Sequence, residues 1–230
     1  MRGASLVGCL LYTALSCVSP QQGRPAETAA TGVSVSAEVD RGVLGYVHEG
    51  DTTVIEEYTR TARTLEGIVR PQVQGAKFGW ARYRVELGPS GAAERAVLEI
   101  GRRSDESKPV HTWTATIRGR EVVEVSTQGL SNRVSVSETV VPLFAPSMAM
   151  FHEAIRQTHR LSGSRGRASV LVYFMASSGE LDPVTIEWPA SDTATVRHSS
   201  GPATLYVVDT RGRLLGSRGQ DGRHLVVRLR

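Results

Sequence analysis

Cysteine is nearly absent from the sequence of 230 residues, which contains only Cys9 and Cys17, both close to the N-terminus. A fold formed by the remaining chain therefore has no internal disulfide, no thiolate metal site and no cysteine nucleophile. Exported domains often depend on disulfides. If this chain is exported, its stability must come from its hydrophobic core.

Long hydrophobic runs are also missing, since no segment approaches the 18 apolar residues expected of a transmembrane helix. An apolar run from Leu6 to Leu15 follows the basic start Met1-Arg2. As a helix this run rises only about 15 Å, half the thickness of a bilayer core. That length is typical of a signal peptide, which we predict over residues 1–16.

The end of this segment resembles a bacterial lipoprotein signal, in which a cysteine after the cleavage site is lipidated. The residues before Cys17 are Ala14-Leu15-Ser16, whereas the usual motif has leucine three residues before the cysteine and a small residue two before it. The resemblance implies lipidation of Cys17, with ordinary secretion as the alternative. Either reading predicts an exported protein that is periplasmic, tethered to the outer membrane, or secreted. Residues 17–40 are rich in Ser, Pro, Gly, Ala and Thr, which predicts a flexible tether.

Lysine is scarce as well, because Lys77 and Lys108 are the only two among 27 basic residues, which face 23 acidic ones. This arginine bias fits a GC-rich genome better than it fits a binding function. Basic residues are denser over 156–167 and 211–230, and either stretch is suited to contact anionic lipid or another polyanion. With an export signal ahead of the domain, we predict no nucleic-acid partner.

Alternation of apolar and polar residues dominates the region from Val43 to Val141. In the clearest run, apolar residues face one way and charged residues the other. The apolar side is formed by Ala81, Tyr83, Val85 and Leu87, and the opposite side by Arg82, Arg84 and Glu86. Alternation of this kind indicates strands with one buried and one solvated face. Short polar turns between the runs predict an antiparallel meander.

One helix is predicted from Pro146 to Leu161, where Met148, Phe151 and Ile155 follow helical spacing. The later strands at 170–175, 205–208 and 225–229 are apolar on both faces, which predicts that both faces are covered. A sheet of roughly a dozen strands curls because strand twist accumulates. We therefore predict a mainly β fold over residues 41–230: one large curled antiparallel sheet, a half-barrel or incomplete barrel, with a single helix packed against it.

This arrangement of strands, helix and strands resembles the periplasmic half-barrel proteins of the lipoprotein-localisation-factor type. The resemblance is one of architecture and no residue motif carries it. It implies an apolar concave groove for acyl chains. The aromatic and aliphatic residues on the inward faces, Tyr83, Trp113, Phe151 and Ile155, are then the candidate ligand contacts, although the same residues would be ordinary core in a packed sandwich.

Catalytic motifs are absent: the sequence has no nucleophile elbow, P-loop or dinucleotide fingerprint. His152 and His159 lie seven residues apart, about 10.5 Å along a helix, too far to ligate one zinc ion. They are interpreted as a polar helix edge. We predict no catalytic residue, metal or cofactor, and a non-enzymatic binder of a lipid or other apolar ligand. The alternative is an envelope-anchored interaction module, which predicts a filled core and an exposed patch. A hydrolase with dispersed residues, less favoured, predicts a cleft where a histidine meets an acid.

Overall fold

The computed structural model describes residues 39–162, 166–177, 179–199, 201–219 and 223–230. The first nine strands are β1 (Asp40–His48), β2 (Asp51–Arg60), β3 (Thr64–Pro71), β4 (Trp80–Leu87), β5 (Ala93–Gly101), β6 (Pro109–Arg118), β7 (Glu121–Ser126), β8 (Ser131–Ser135) and β9 (Val140–Leu143). The helix α1 spans Met148–Ser162. The last six strands are β10 (Gly166–Phe174), β11 (Leu181–Ala190), β12 (Thr193–Arg197), β13 (Thr204–Val208), β14 (Leu214–Arg218) and β15 (His224–Arg228).

All fifteen strands belong to one sheet, in the order β8-β7-β6-β5-β4-β3-β2-β1-β15-β14-β13-β12-β11-β10-β9. The chain enters at β1 in the middle of the sheet and meanders out to β8. It then crosses to the opposite edge at β9 and returns through α1 and β10 to β15, which pairs with β1. β9 and β10 are parallel, and α1 provides the crossover that a parallel pair requires.

The sheet curls but does not close into a barrel, and α1 lies inside the curve. The helix packs against β9, β10 and β11 from one arm of the sheet and against β2 and β3 from the other. β9 also reaches β5 across the interior. The core therefore lies between the concave face of the sheet and the helix, which confirms the predicted fold class.

Alternation correctly predicted which side chains of β4 are buried and which are exposed: Tyr83, Val85 and Leu87 are buried, and Arg82 and Arg84 are exposed. The helix begins at Met148 and not at Pro146, because the side chain of Ser147 accepts the N–H of Met150 at 3.2 Å and acts as the N-cap. β4 begins at Trp80, one residue before the alternating run, and residues 76–79 form a loop.

Coverage of the later strands differs from the expectation. β10 is covered on both faces, with Val172 and Tyr173 both fully buried. β13 and β15 are covered only on the inner face, so Leu205 and Leu225 remain exposed on the outer one. Among the residues that the structure describes, no second layer covers the outer face there, and α1 packs on the inner side of the sheet.

The predicted signal peptide, Cys17 and most of the predicted tether lie outside the described residues. β1 begins at Asp40, one residue inside the predicted tether. Within the described part of the chain, no helix is long and apolar enough to cross a membrane.

Candidate binding surfaces

The space between helix and sheet is occupied by packed side chains. Tyr83, Phe151 and Ile155 are buried in one core cluster with 1%, 4% and 0% of their surface exposed, and Trp113 is half-buried against that cluster. The structure thus brings three of the four candidate ligand contacts into the interior and places the fourth at its margin. Their role in ligand binding stays a prediction.

A buried carboxylate, Glu56 of β2, anchors the N-terminus of α1. Its two oxygens accept hydrogen bonds from three hydroxyls and two backbone N–H groups. The donors are Tyr83 (2.7 Å), Ser147 Oγ (2.6 Å), Tyr46 (3.2 Å), Met148 N (2.8 Å) and Ala149 N (3.2 Å). Burial raises the pKa of Glu56, while the hydrogen bonds from Ser147, Tyr83 and the helix backbone act in the opposite direction. A negative charge here also complements the helix dipole.

An ionic network holds the other side of the helix to the central strands. Arg60 of β2 donates two hydrogen bonds to Glu153 of α1, at 2.9 and 3.2 Å. Arg156 of α1 and Arg228 of β15 both bind Asp40 of β1, at 2.6 and 3.2 Å. These ion pairs, which are mostly shielded from water, therefore hold the helix to β1, β2 and β15 and fix its position against the sheet.

His152 is buried on α1, so its interpretation as part of a polar helix edge is wrong. Its Nε2 is buried and has no hydrogen-bond partner among the described residues. Burial lowers the pKa of His152 well below its usual value, and the neighbouring cations Arg156 and Arg60 lower it further. His152 is thus a neutral core residue.

A histidine and an acid do meet, in a polar pocket of about 280 Å³ beside β11 and β12. His198 Nδ1 lies 2.6 Å from Asp182 Oδ2, and the other carboxylate oxygen accepts the Ser199 hydroxyl at 2.6 Å and the Ser199 N–H at 3.2 Å. Burial opposes ionisation of Asp182, but its bonds to Ser199 and His198 lower its pKa overall. Within the described residues no serine hydroxyl contacts the imidazole, so this cluster ties a loop and forms no nucleophile–base pair.

The outer face of β1–β5 carries an open groove of about 870 Å³. Ion pairs line it: Arg70 with Glu57 and Glu106, Arg82 with Glu99, and Arg84 with Glu66, at 2.7 to 3.2 Å. The aliphatic side chains Val43, Ile68 and Val97 contribute to its floor. Because the four carboxylates of the groove are each paired with an arginine, they largely offset the charge of Arg70, Arg82 and Arg84. Arg41 and Arg230 also line the groove, at its β1 end.

The outer face of β12–β15 and β1 has a different character, and we call it the apolar face. Leu205, Leu215, Leu225 and Leu229 each keep between 37% and 50% of their surface exposed. Val207 and Val227 lie between them, and the Leu229 side chain covers Gly45 of β1. The leucines come from the three neighbouring strands β13, β14 and β15, and Leu229, just after β15, extends the patch over β1.

Charge on the apolar face has a single sign. Arg218 lies opposite Leu205 in the β13–β14 register, and Arg197, Arg41 and Arg230 lie around the patch. Among the described residues of these five strands, no aspartate or glutamate points outward, since Asp40 is turned into the core. The apolar face is therefore an exposed hydrophobic patch whose own strands carry only cations outward. The nearest outward acids lie on the flanking strands and are paired with arginines: Glu187 of β11 with Arg167, and Glu57 of β2 with Arg70.

The sequence contained a sign of this face, because segment 205–208 is apolar at every position and segment 225–229 is apolar at every position except Arg228. That pattern was interpreted as two covered faces, and sequence alone does not reveal which face lacks cover. No group of three or more histidine, cysteine, aspartate or glutamate residues that could hold a metal ion occurs in the described ranges.

Comparison with known proteins yields structural neighbours only. No family model matches the chain, and no curated protein matches it in sequence. A DUF1089 family protein from Pseudomonas aeruginosa superposes with a TM-score of 0.56 at 13% identity, covering 74% of this chain and 91% of that one. The likeness is one of fold.

A second solved structure is the β-barrel-like protein of the domain of unknown function DUF1849 from Brucella abortus. It covers 83% of this chain and 93% of its own, with a TM-score of 0.47 and 9% identity. The curled and unclosed sheet itself shows the resemblance to a β half-barrel at the level of architecture, while a relation to the lipoprotein-localisation factors stays a prediction.

Proposed function

We propose that this chain is a non-enzymatic protein of the cell envelope that binds lipid at its surface, by docking the apolar face onto an anionic membrane. The observation that supports this most is the apolar face itself: four exposed leucines bordered by arginines, with no outward acid among the described residues of its strands. Large exposed apolar patches of this kind mark interaction sites.

The interior is less suited to hold a ligand. The side chains of Tyr83, Phe151 and Ile155 already fill it, and displacing them would break the Glu56 contacts and the Arg60–Glu153 pair. A lipid remains the favoured ligand, but the mode of binding changes from enclosure inside the sheet to contact with its outer face.

A bilayer is favoured over a soluble apolar ligand by the shape and charge of the face. Four leucines that each bury the remaining 40% or so of their surface contribute about 2–5 kcal/mol in total. Each arginine near an anionic surface adds about 1 kcal/mol. These contributions give moderate and reversible binding, which a lipid anchor would strengthen.

The predicted lipid anchor at Cys17 would add to the membrane binding of the apolar face. A flexible chain of the length between Cys17 and β1 spans on the order of 25 Å. β1 is itself a strand of the apolar face. A lipidated Cys17 would tether the chain to the membrane and raise the effective concentration of the apolar face there.

Vesicle sedimentation tests the proposal with the full chain carrying Cys17→Ser, so that no acyl anchor contributes. We expect binding to vesicles containing phosphatidylglycerol, weaker binding to pure phosphatidylcholine, and a decrease with added salt. Leu225→Ser with Leu229→Ser should reduce binding at least about tenfold, on the transfer energies of two half-exposed leucines.

Val125→Ser is the matched control, because Val125 is 49% exposed on the outer face of β7, away from the apolar face. It should leave vesicle binding unchanged. The proposal fails if the chain does not bind anionic vesicles, or if the control lowers binding as much as the leucine variants do.

A protein-interaction module with a filled core is the second candidate, and the paired groove on β1–β5 favours it. Interlocked arginine and glutamate side chains match a polar protein surface better than a lipid. Arg84→Glu would reverse one charge of the groove and break its pair with Glu66. A protein partner that uses the groove should then be lost in pull-down experiments from the native envelope, while vesicle binding is retained.

A further inference from the structure

A separate pocket lies at the end of the sheet where β3, β4, β5 and β6 are joined by loops 72–79 and 102–108. It has a volume of about 480 Å³ and is far smaller than the groove on β1–β5. Its walls come from the two loops and from the ends of β5 and β6, including Ile100, Val110 and His111. We call it the loop pocket.

Cations line the loop pocket without any acid. Lys77 lies on the first loop and Arg102 and Arg103 on the second, and none of the lining residues is aspartate or glutamate. The two acids of the second loop are engaged elsewhere: Asp105 accepts the backbone and hydroxyl of Ser107, and Glu106 pairs with Arg70. The local charge is therefore strongly positive, in contrast with the paired groove.

The same pocket has an apolar wall. Val73, Phe78, Ile100 and Val110 line it together with the cations. His111 also lines it, with its ring 5.5 Å from that of Trp113, and the buried His111 Nδ1 has no hydrogen-bond partner within the described residues. Three cations beside an apolar wall are suited to a ligand that is anionic at one end.

The two loops are fixed against each other, so the pocket is preformed. Gly79 N donates to Gly101 O at 2.9 Å, and Trp80 Nε1 donates to Asp105 O at 3.0 Å. The Arg103 guanidinium donates to Pro71 O at 2.6 Å. A side chain at Gly79 would overlap the backbone of Arg103, so close approach of the loops requires glycine there.

We propose that the loop pocket binds a phosphate monoester that carries a short apolar group, with Lys77 and Arg102 contacting the phosphate and the aliphatic wall contacting the apolar part. Charge-assisted hydrogen bonds to phosphate are strong and directional. Such a group occurs in lipid headgroups and in soluble organic phosphates. This site does not depend on docking of the apolar face, which lies on other strands.

Titration calorimetry of the full chain carrying Cys17→Ser tests the site, with hexyl phosphate as the probe and hexanol and inorganic phosphate as comparators. We expect hexyl phosphate to bind more tightly than either comparator. Lys77→Gln and Arg102→Gln should each weaken binding at least about threefold. Lys108→Gln is the matched control, because Lys108 lies on the same loop and does not line the pocket, and it should have no effect.

Dihexanoyl phosphatidic acid, added as a further probe, separates the two sources. Tighter binding than hexyl phosphate supports a lipid headgroup, and weaker binding supports a soluble phosphate. The proposal is overturned if inorganic phosphate or hexanol binds as well as hexyl phosphate, or if Lys77→Gln and Arg102→Gln behave like Lys108→Gln. Vesicle binding by the Lys77→Gln chain, measured in parallel, keeps failure of this site distinct from failure of the docking proposal.

Discussion

Replacement of Glu56 by leucine and by glutamine separates the two contributions of this buried carboxylate, its acceptor atoms and its charge. Leucine has a similar size but accepts no hydrogen bond. It leaves the N–H groups of Met148 and Ala149 without their acceptor inside the protein, and backbone N–H groups cannot turn to another partner. Each buried unsatisfied donor costs about 1–3 kcal/mol.

Glutamine keeps one oxygen for these two N–H groups. Its NH₂ group then faces the hydroxyls of Tyr83 and Ser147, which can rotate to accept it. The remaining loss is the favourable charge at the helix N-terminus, and it is partly offset because burial of the carboxylate is itself unfavourable. We expect Glu56→Leu to lower the free energy of unfolding by about 3 kcal/mol or more, and Glu56→Gln by at most about 2 kcal/mol.

Urea denaturation followed by circular dichroism measures both values. Glu57→Leu and Glu57→Gln are the controls, since Glu57 is the next residue of β2 but points outward with 52% of its side chain exposed. Each should change the free energy of unfolding by less than about 1 kcal/mol. Equal stability of Glu56→Leu and Glu56→Gln would refute the role of Glu56 as the acceptor for the helix N-terminus.

Three further predictions concern the ionic network, the core histidine and the loop contact. Arg60→Met alone should cost about 1.5–3 kcal/mol, because the buried Glu153 loses two charge-assisted hydrogen bonds and keeps only its pair with the more exposed Arg160. Adding Glu153→Met should restore part of that loss in urea denaturation. The pKa of His152 is lower in the folded state than in the unfolded state, so its contribution to stability is complete above about pH 6.5 and is lost as the pH falls below that value. His152→Gln should therefore reduce the fall in melting temperature between pH 7 and pH 5. An equally steep fall in the variant would contradict the interpretation of His152 as a neutral core residue. Gly79→Ala should force the loops apart and lower the melting temperature, whereas Gly75→Ala, with open space around it, should cost only the strain of its positive φ.

Local patterning predicted the strands and most of their faces because alternation depends only on neighbouring residues. Tyr83 was placed on the inner face by this rule, and the helix by the spacing of Phe151 and Ile155. The same rule cannot recognise Glu56, since its partner Ser147 lies 91 residues away and only the tertiary fold brings the two together. A buried glutamate in a polar strand has the same sequence pattern as a solvated one.

The candidate surfaces were harder to predict than the fold. The residues of the apolar face were visible as apolar runs, but whether a second layer covers them depends on the number of helices available and on where α1 packs. The loop pocket combines residues from two loops and two strand ends, which the sequence does not show to be close together. The sequence also does not show which acids near the pocket are paired with residues outside it. Glu106 illustrates this, since its pair with Arg70 removes it from the charge balance of the pocket.

Spin labelling offers the most direct test of membrane docking, because the sequence contains only Cys9 and Cys17 and both can be replaced by serine. A single nitroxide is attached at Leu225→Cys on the apolar face or at Val125→Cys on the outer face of β7, and its accessibility to oxygen and to a water-soluble nickel complex is measured on phosphatidylglycerol vesicles. We predict that the label at position 225 enters the bilayer and becomes shielded from nickel, while the label at position 125 stays in water. Equal nickel accessibility at the two positions on membrane-bound protein would contradict docking through the apolar face.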